Sequence, residues 1–68
     1  MSEEQFAAKM QAVLTMLPAE FRDFVSEESW DRGHSAGYSE VLLIAENLAY
    51  NLEKTVRAYN KRLGIVEC

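Results

Sequence analysis

The residues that could do chemistry are few, and the most suggestive set surrounds His34, the only histidine of the chain. On a continuous helix Glu27, Asp31 and His34 would occupy positions i, i+4 and i+7, so two carboxylates and an imidazole would share one face. Ligands of this kind bind zinc or manganese. However, the set offers three ligands at most and lacks the repeated Glu-x-x-His elements of di-iron bundles. We therefore predict no metal here and interpret His34 as an exposed or hydrogen-bonded side chain.

Catalysis finds even less support in the sequence. The only thiol belongs to Cys68, the last residue, where no neighbouring element could hold a base or an oxyanion donor beside it. Acidic residues are plentiful, but their spacing singles out no general acid and base. We therefore predict a protein that is not an enzyme, with no catalytic residues and no cofactor.

The segment "GHSAG" contains Gly33 and Gly37, and each glycine costs about 1 kcal/mol relative to alanine inside a helix. Three interpretations stay open: a loop that breaks the helix, a helical face where backbones approach closely, or a site that a ligand approaches. In the second case, Ser29, Gly33, Gly37 and Val41 would form one ridge of a continuous helix. The third would make residues 30–38 a binding module for a nucleotide or a metal.

Three helices are predicted to position these residues. Ser2 and Gln5 form a capping-box pattern at the start of the first helix, and Pro18 ends it because proline disfavours helical geometry in the preceding residue. Apolar residues then recur at helical spacing up to Leu63, and Gly64 suits the end of a helix. The predicted helices span about residues 3–17, about 18–31, and from either 36 or 39 to 63. A single helix kinked at Pro18 is the alternative for the first two, and a start at Glu27 is the alternative for the last.

This pattern predicts an all-α fold in a single domain, residues 1–68: a small helical bundle or hairpin with one long C-terminal helix. Starting at Ser39, that helix has about 25 residues and is about 37 Å long, against about 24 Å for the first helix. One short helix cannot cover the apolar side of so long a partner. A chain this short also buries only about 60% of its unfolded surface. We therefore expect oligomerisation to complete the bundle.

The charge is unevenly distributed along the chain. Residues 1–46 carry nine acidic and three basic residues, a formal charge of −6, whereas residues 47–68 carry two acidic and four basic residues, +2. This split either complements helix dipoles or creates two charged surfaces that select a partner. A net charge of −4 disfavours direct nucleic-acid binding, which depends on Lys and Arg. An acidic surface that mimics nucleic acid is a further alternative, formed by Glu20, Asp23, Glu27, Glu28 and Asp31.

The sequence also indicates a cellular location. The longest apolar run, "VLLIA", is far shorter than the roughly 20 residues of a membrane span. The beginning, "MSEEQF", is acidic, whereas a signal peptide begins with positive charge. A single cysteine suits a reducing compartment. We therefore predict a cytoplasmic protein without a membrane partner.

Residues 30–48, "WDRGHSAGYSEVLLIAENL", resemble a string found in small uncharacterised accessory proteins of tailed bacteriophages. The resemblance rests on Trp30, Gly33, His34, Gly37, Tyr38, Glu40 and Val41. It implies a protein made in the cytoplasm of an infected bacterium. Such proteins often bind a host enzyme, nuclease or immune component in stoichiometric fashion.

Together these observations predict an interaction protein: a helical homo-oligomer that binds a host protein and inhibits or redirects it. The alternative is the nucleotide- or metal-binding module at residues 30–38. Candidate interface residues combine the apolar and small side chains of the central and C-terminal segments with charged residues of both signs. They are Trp30, Gly33, Gly37, Tyr38, Val41, Leu48 and Leu52, with Glu27, Asp31, Arg57 and Lys61. For Trp30, burial in the core is the favoured alternative, because the chain has few large side chains.

Overall fold

Helices make up most of the computed structural model, which describes residues 1–64. Four α-helices follow one another: α1 (Glu3–Leu14), α2 (Ala19–Gly33), α3 (Tyr38–Tyr50) and α4 (Leu52–Arg62). A 3-10 turn, His34–Ala36, joins α2 to α3. No strand occurs in this part of the chain. The prediction of an all-α bundle is confirmed.

The start of α1 is as predicted, but its end comes earlier. The Ser2 hydroxyl accepts a hydrogen bond from the backbone N–H of Gln5, and the Gln5 side chain accepts one from the backbone of Ser2, both at 3.2 Å. The helix ends at Leu14 rather than near Leu17. Pro18 keeps Leu17 out of helical geometry. The guanidinium of Arg22 then donates to the carbonyls of both Leu14 and Leu17, each at 3.1 Å.

Helix α3 is central, because it packs against both α1 and α2. Phe6 near the start of α1 contacts Tyr38 at the start of α3 and Trp30 near the end of α2. Helices α1 and α3 therefore run in the same direction, and α2 runs opposite to both. The core between them consists of Met10, Val13, Leu17, Phe24, Val25, Val41, Leu42, Ala45, Leu48 and Ala49.

The two glycines of "GHSAG" have different roles. Gly37 has φ of 113°, a backbone conformation that side chains disfavour, and it separates the 3-10 turn from α3. Gly33 is buried, and a Cβ atom there would lie 2.8 Å from the nitrogen and 2.9 Å from the Cα of Val41. The continuous ridge through both glycines is therefore wrong. The chain breaks at Gly37, and Gly33 instead allows close contact between α2 and α3.

The single long C-terminal helix is also wrong, because Asn51 divides it. Asn51 has φ of −129° and ψ of 81°, outside helical geometry, and its side chain accepts a hydrogen bond from the Lys54 N–H as the cap of α4. Helix α4 folds back over α2, where the Tyr59 ring meets Phe21 edge-on at 5.1 Å and Phe24 at 5.4 Å. The apolar side of α3 is thus covered within the chain, whereas Leu52, Val56 and Leu63 stay exposed. The length mismatch no longer argues for oligomerisation.

Thr55 stabilises the bend between α3 and α4. It is fully buried, and its hydroxyl donates to the carbonyl of Leu48 and lies 3.2 Å from that of Asn51. Thr55→Val keeps the side-chain shape but removes the donor, so we expect the free energy of unfolding to fall by about 1–3 kcal/mol. Denaturant unfolding followed by circular dichroism measures this. Thr55→Ser retains the hydroxyl and is the control; an equal loss in both variants would contradict a hydrogen-bonding role.

Candidate interaction surface

Four aromatic side chains meet at one end of the bundle. The rings of Phe6 and Tyr38 stack with centroids 4.4 Å apart, and those of Trp30 and His34 stack at 5.5 Å. The Trp30 ring also lies 6.3 Å from the rings of Phe6 and Tyr38. We call Phe6, Trp30, His34 and Tyr38 the aromatic surface.

Local backbone structure places these rings. The carbonyl of Trp30 accepts a hydrogen bond from the backbone N–H of His34, and the His34 Nδ1 lies 2.7 Å from the same oxygen. Because a carbonyl oxygen can only accept, this geometry places the imidazole proton on Nδ1. Gly37 then redirects the chain so that Tyr38 begins α3 beside the end of α2. His34 is therefore held in place by Trp30.

The aromatic surface is open to solvent. Trp30 is 45% exposed, His34 is exposed, and Phe6 and Tyr38 are each half-buried. Their rings pack against one another, and part of each side chain remains accessible to solvent. Tryptophan and tyrosine are among the side chains that most often anchor protein interfaces, since they combine a large apolar body with a polar group.

A row of carboxylates runs along α2 towards Trp30. Its four members recur at i, +3, +7 and +11 and therefore share one helical face about 16 Å long. All four are exposed, and within residues 1–64 only Glu27 has a cationic neighbour, Arg62 at 3.7 Å. We call them the acidic row: Glu20, Asp23, Glu27 and Asp31.

Glu28, predicted as part of the same acidic surface, is placed elsewhere. Its side chain is 20% exposed and pairs with Arg32 at 2.8 Å and with Arg62 at 3.2 Å. One helical position separates it from Glu27, which turns its side chain about 100° around the axis towards α4. The five-residue acidic surface is therefore corrected to four residues, and Glu28 joins α2 to α4.

The remaining interface candidates divide into buried and exposed sets. Gly33, Val41 and Leu48 lie in the core of the single chain, so they present no surface to a partner in this fold. Leu52 is 44% exposed at the start of α4. On the same helix Arg57 pairs with Glu53 at 3.1 Å, and Lys61 is exposed beside Arg62. Trp30, Tyr38, Glu27, Asp31 and the exposed Gly37 cluster around the end of α2.

Phe6 is the member of the aromatic surface that the sequence did not single out. In sequence it begins an apolar stripe, which is typical of a core residue. The turn near Pro18 could have indicated its position. Two successive helices joined there run antiparallel, so Phe6 at the start of α1 lies near Trp30 at the end of α2.

The three side chains that a continuous helix would align, Glu27, Asp31 and His34, are not grouped in the structure. In the part of the chain that the structure describes, no three His, Cys, Asp or Glu side chains are grouped closely enough to hold a metal ion. His34 lies in the 3-10 turn beyond α2 and stacks on Trp30, which removes it from the regular helical face. Cys68 lies outside the described residues.

Two further findings complete the description of the site. None of the four helices within residues 1–64 has the length and apolar content that a bilayer-spanning segment requires. Comparisons of the chain with protein-family models, with curated proteins and with solved structures returned no match.

Proposed function

We propose that this chain is a non-catalytic interaction protein that binds another protein through the aromatic surface. The observation that carries this proposal is Trp30, a large aromatic side chain 45% exposed among three other aromatic rings. A side chain of this size contributes most to binding when a partner removes it from water. The His34 ring stacks on Trp30, and the Phe6 ring lies tilted beside it at 6.3 Å. These neighbours restrict the rotation of Trp30, so little conformational entropy is lost on binding.

The acidic row suggests which partner surface fits. Carboxylates of Glu20, Asp23, Glu27 and Asp31 lie on the exposed face of α2 that ends at Trp30. A partner with Lys or Arg side chains around an apolar pocket would complement both features. The resemblance to bacteriophage accessory proteins makes a cytoplasmic protein of a bacterial host the expected partner, which the chain inhibits or redirects by occupying that surface.

Substitution of Trp30 tests this function. We expect Trp30→Ala to weaken binding of the purified partner by about 30-fold, since truncation of an interface anchor costs about 2 kcal/mol or more. The partner is first captured from host lysate on immobilised protein, and the dissociation constants of the two variants are then measured by calorimetry.

Tyr50→Ala is the matched control, because Tyr50 is 68% exposed at the opposite end of α3. It should leave the dissociation constant unchanged. Equal affinity of the Trp30→Ala and native proteins for the partner would contradict the aromatic surface as the binding site.

Self-association is the second part of the proposed function. Helix α4 leaves Leu52, Val56 and Leu63 exposed at 44%, 37% and 59%, and these residues share one side of the helix by their spacing. Apolar area of this kind is stabilised when another chain covers it. Sedimentation of the native protein over a range of concentrations measures the mass, and a monomer at every concentration would contradict this part.

A further inference from the structure

We propose that the homo-oligomer is a domain-swapped dimer, in which α4 leaves its own α2 and docks on α2 of a second copy. In this dimer α3 and α4 join through Asn51 into one helix. The inference rests on the self-association proposed above and does not depend on the aromatic surface. It names the second copy as the partner and α2 as the place where α4 docks.

The hinge that separates α3 from α4 is a single residue, Asn51. Helical spacing of apolar residues continues through it from Leu48 to Leu52 and Val56, and the segment from Tyr38 to Leu63 contains neither Pro nor Gly. A straight helix would let the Leu52 N–H donate to the Leu48 carbonyl, which instead accepts from the Thr55 hydroxyl. The bent and straight forms therefore differ in the backbone of one residue, Asn51, in its cap of Lys54 and in the group that donates to the Leu48 carbonyl.

Helix α4 can also separate from the rest of the fold. Within residues 1–64 it packs on α2 and on the adjoining α3, and none of its Cα atoms lies within 8 Å of a Cα atom of α1. Its removal would leave the contacts that α1, α2 and α3 make with one another in place. It would, however, uncover the Phe21 and Phe24 rings that meet Tyr59. An opened single chain is therefore unfavourable until something covers these two rings.

The surface of α2 that the removal of α4 uncovers is complementary to α4 itself. Arg62 lies 3.2 Å from the Glu28 carboxylate, and its guanidinium lies 5.6 Å from the centre of the Phe24 ring. Tyr59 fills the space beside Phe21 and Phe24. A second copy supplies all of these partners with the same geometry, so exchange restores the contacts between α2 and α4.

Two substitutions at the hinge should move the equilibrium between monomer and swapped dimer in opposite directions. Leu52→Pro places proline at the first position of α4, which tolerates it, and keeps Asn51 extended. It also prevents a straight helix, because proline lacks the N–H and clashes with the preceding turn. We expect a monomer at all concentrations. Asn51→Ala removes the cap acceptor of Lys54 and favours helix, so we expect a larger dimer fraction than in the native protein.

Sedimentation equilibrium at increasing concentration measures both variants, and circular dichroism checks that each is folded. A native dimer whose dissociation constant is unchanged by Leu52→Pro would contradict the swap and leave self-association standing. Absence of any dimer in the native protein and in Asn51→Ala would contradict both the domain swap and self-association. Binding of the separate partner through Trp30 is not affected by either result.

Charge reversal across the α2–α4 contact provides a test that does not depend on the hinge. Glu28→Arg and Arg62→Glu, made in separate chains, each place like charges within their own α2–α4 contact. When the two chains are mixed, exchange of α4 brings native Arg62 of one chain to native Glu28 of the other. The two substituted residues then also meet with opposite charges. We expect heterodimer in several-fold excess over either homodimer at low salt.

The double variant, with both substitutions in one chain, restores the opposite charges within that chain and is the matched control. Mixing it with the native protein should give no excess of heterodimer over the two homodimers. A dimer that forms through any other surface keeps the mismatch inside each chain, so mixing would not increase association. A mixture that behaves as the average of its two components would overturn the swap.

Discussion

Leu48→Ala should leave the chain close to unfolded at room temperature. Leu48 is 1% exposed and lies on the central helix α3. Loss of a buried leucine side chain costs about 2–5 kcal/mol, because apolar contacts are lost and a cavity remains. The whole free energy of unfolding for 68 residues is about 3–10 kcal/mol. Urea unfolding followed by circular dichroism should give a midpoint near zero denaturant.

Leu43→Ala is the matched control on the same helix. Leu43 is 51% exposed, so the same truncation removes few packed contacts and opens no cavity. We expect its free energy of unfolding to stay within about 0.5 kcal/mol of the native value. If both substitutions lowered the free energy of unfolding equally, Leu48 would not lie in the core as α3 places it.

Gly33→Ala should destabilise the protein although alanine is the better helix former. Alanine in place of glycine gains about 1 kcal/mol of helix propensity at an interior position. At Gly33, however, the added Cβ would lie 2.8 Å from a backbone nitrogen of Val41, and backbone atoms cannot turn aside as a flexible side chain can. The helices must move apart, and such overpacking costs about 1–3 kcal/mol. We expect a net loss.

Thermal unfolding measures the effect of Gly33→Ala, and each 1 kcal/mol lowers the midpoint by about 4–8 °C in a domain of this size. Ser35→Thr adds one carbon at an exposed position in the adjoining 3-10 turn and should change the midpoint little. A higher midpoint for Gly33→Ala would show that helix propensity outweighs the contact, and that α2 and α3 are not so close.

The elements that the sequence predicted correctly have local causes. The capping box of Ser2 and Gln5 and the proline at position 18 act within one turn of the chain, so neighbouring residues suffice to find them. Asn51 could be found only in part. Asparagine is a good helix cap, but continuous apolar spacing and the absence of Pro or Gly favoured a straight helix. The bend is stabilised by Phe21 and Phe24, which precede Asn51 by 30 and 27 residues, so no local sequence pattern indicates it.

The candidate surface was also predicted only in part. Trp30 and Tyr38 were expected at an interface because of their type, and the structure places them beside each other on an exposed end. Val41 and Leu48 were grouped with them because they share the helical pattern of the long segment. Which side of that helix other helices cover depends on how the chain folds back at Gly37 and Asn51. Apolar spacing alone does not contain that information.

Trp30 is the only tryptophan of the chain, which gives the molecule a built-in optical reporter. Its intrinsic fluorescence comes from one place, the partly hydrated ring that stacks on His34. A protein that covers this ring should move the emission to shorter wavelength as water leaves it. Helix α4 meets α2 at Phe21, Phe24 and Glu28, before Trp30, so its exchange between copies should leave the emission unchanged. One spectrum, without any added dye, therefore separates partner binding from exchange.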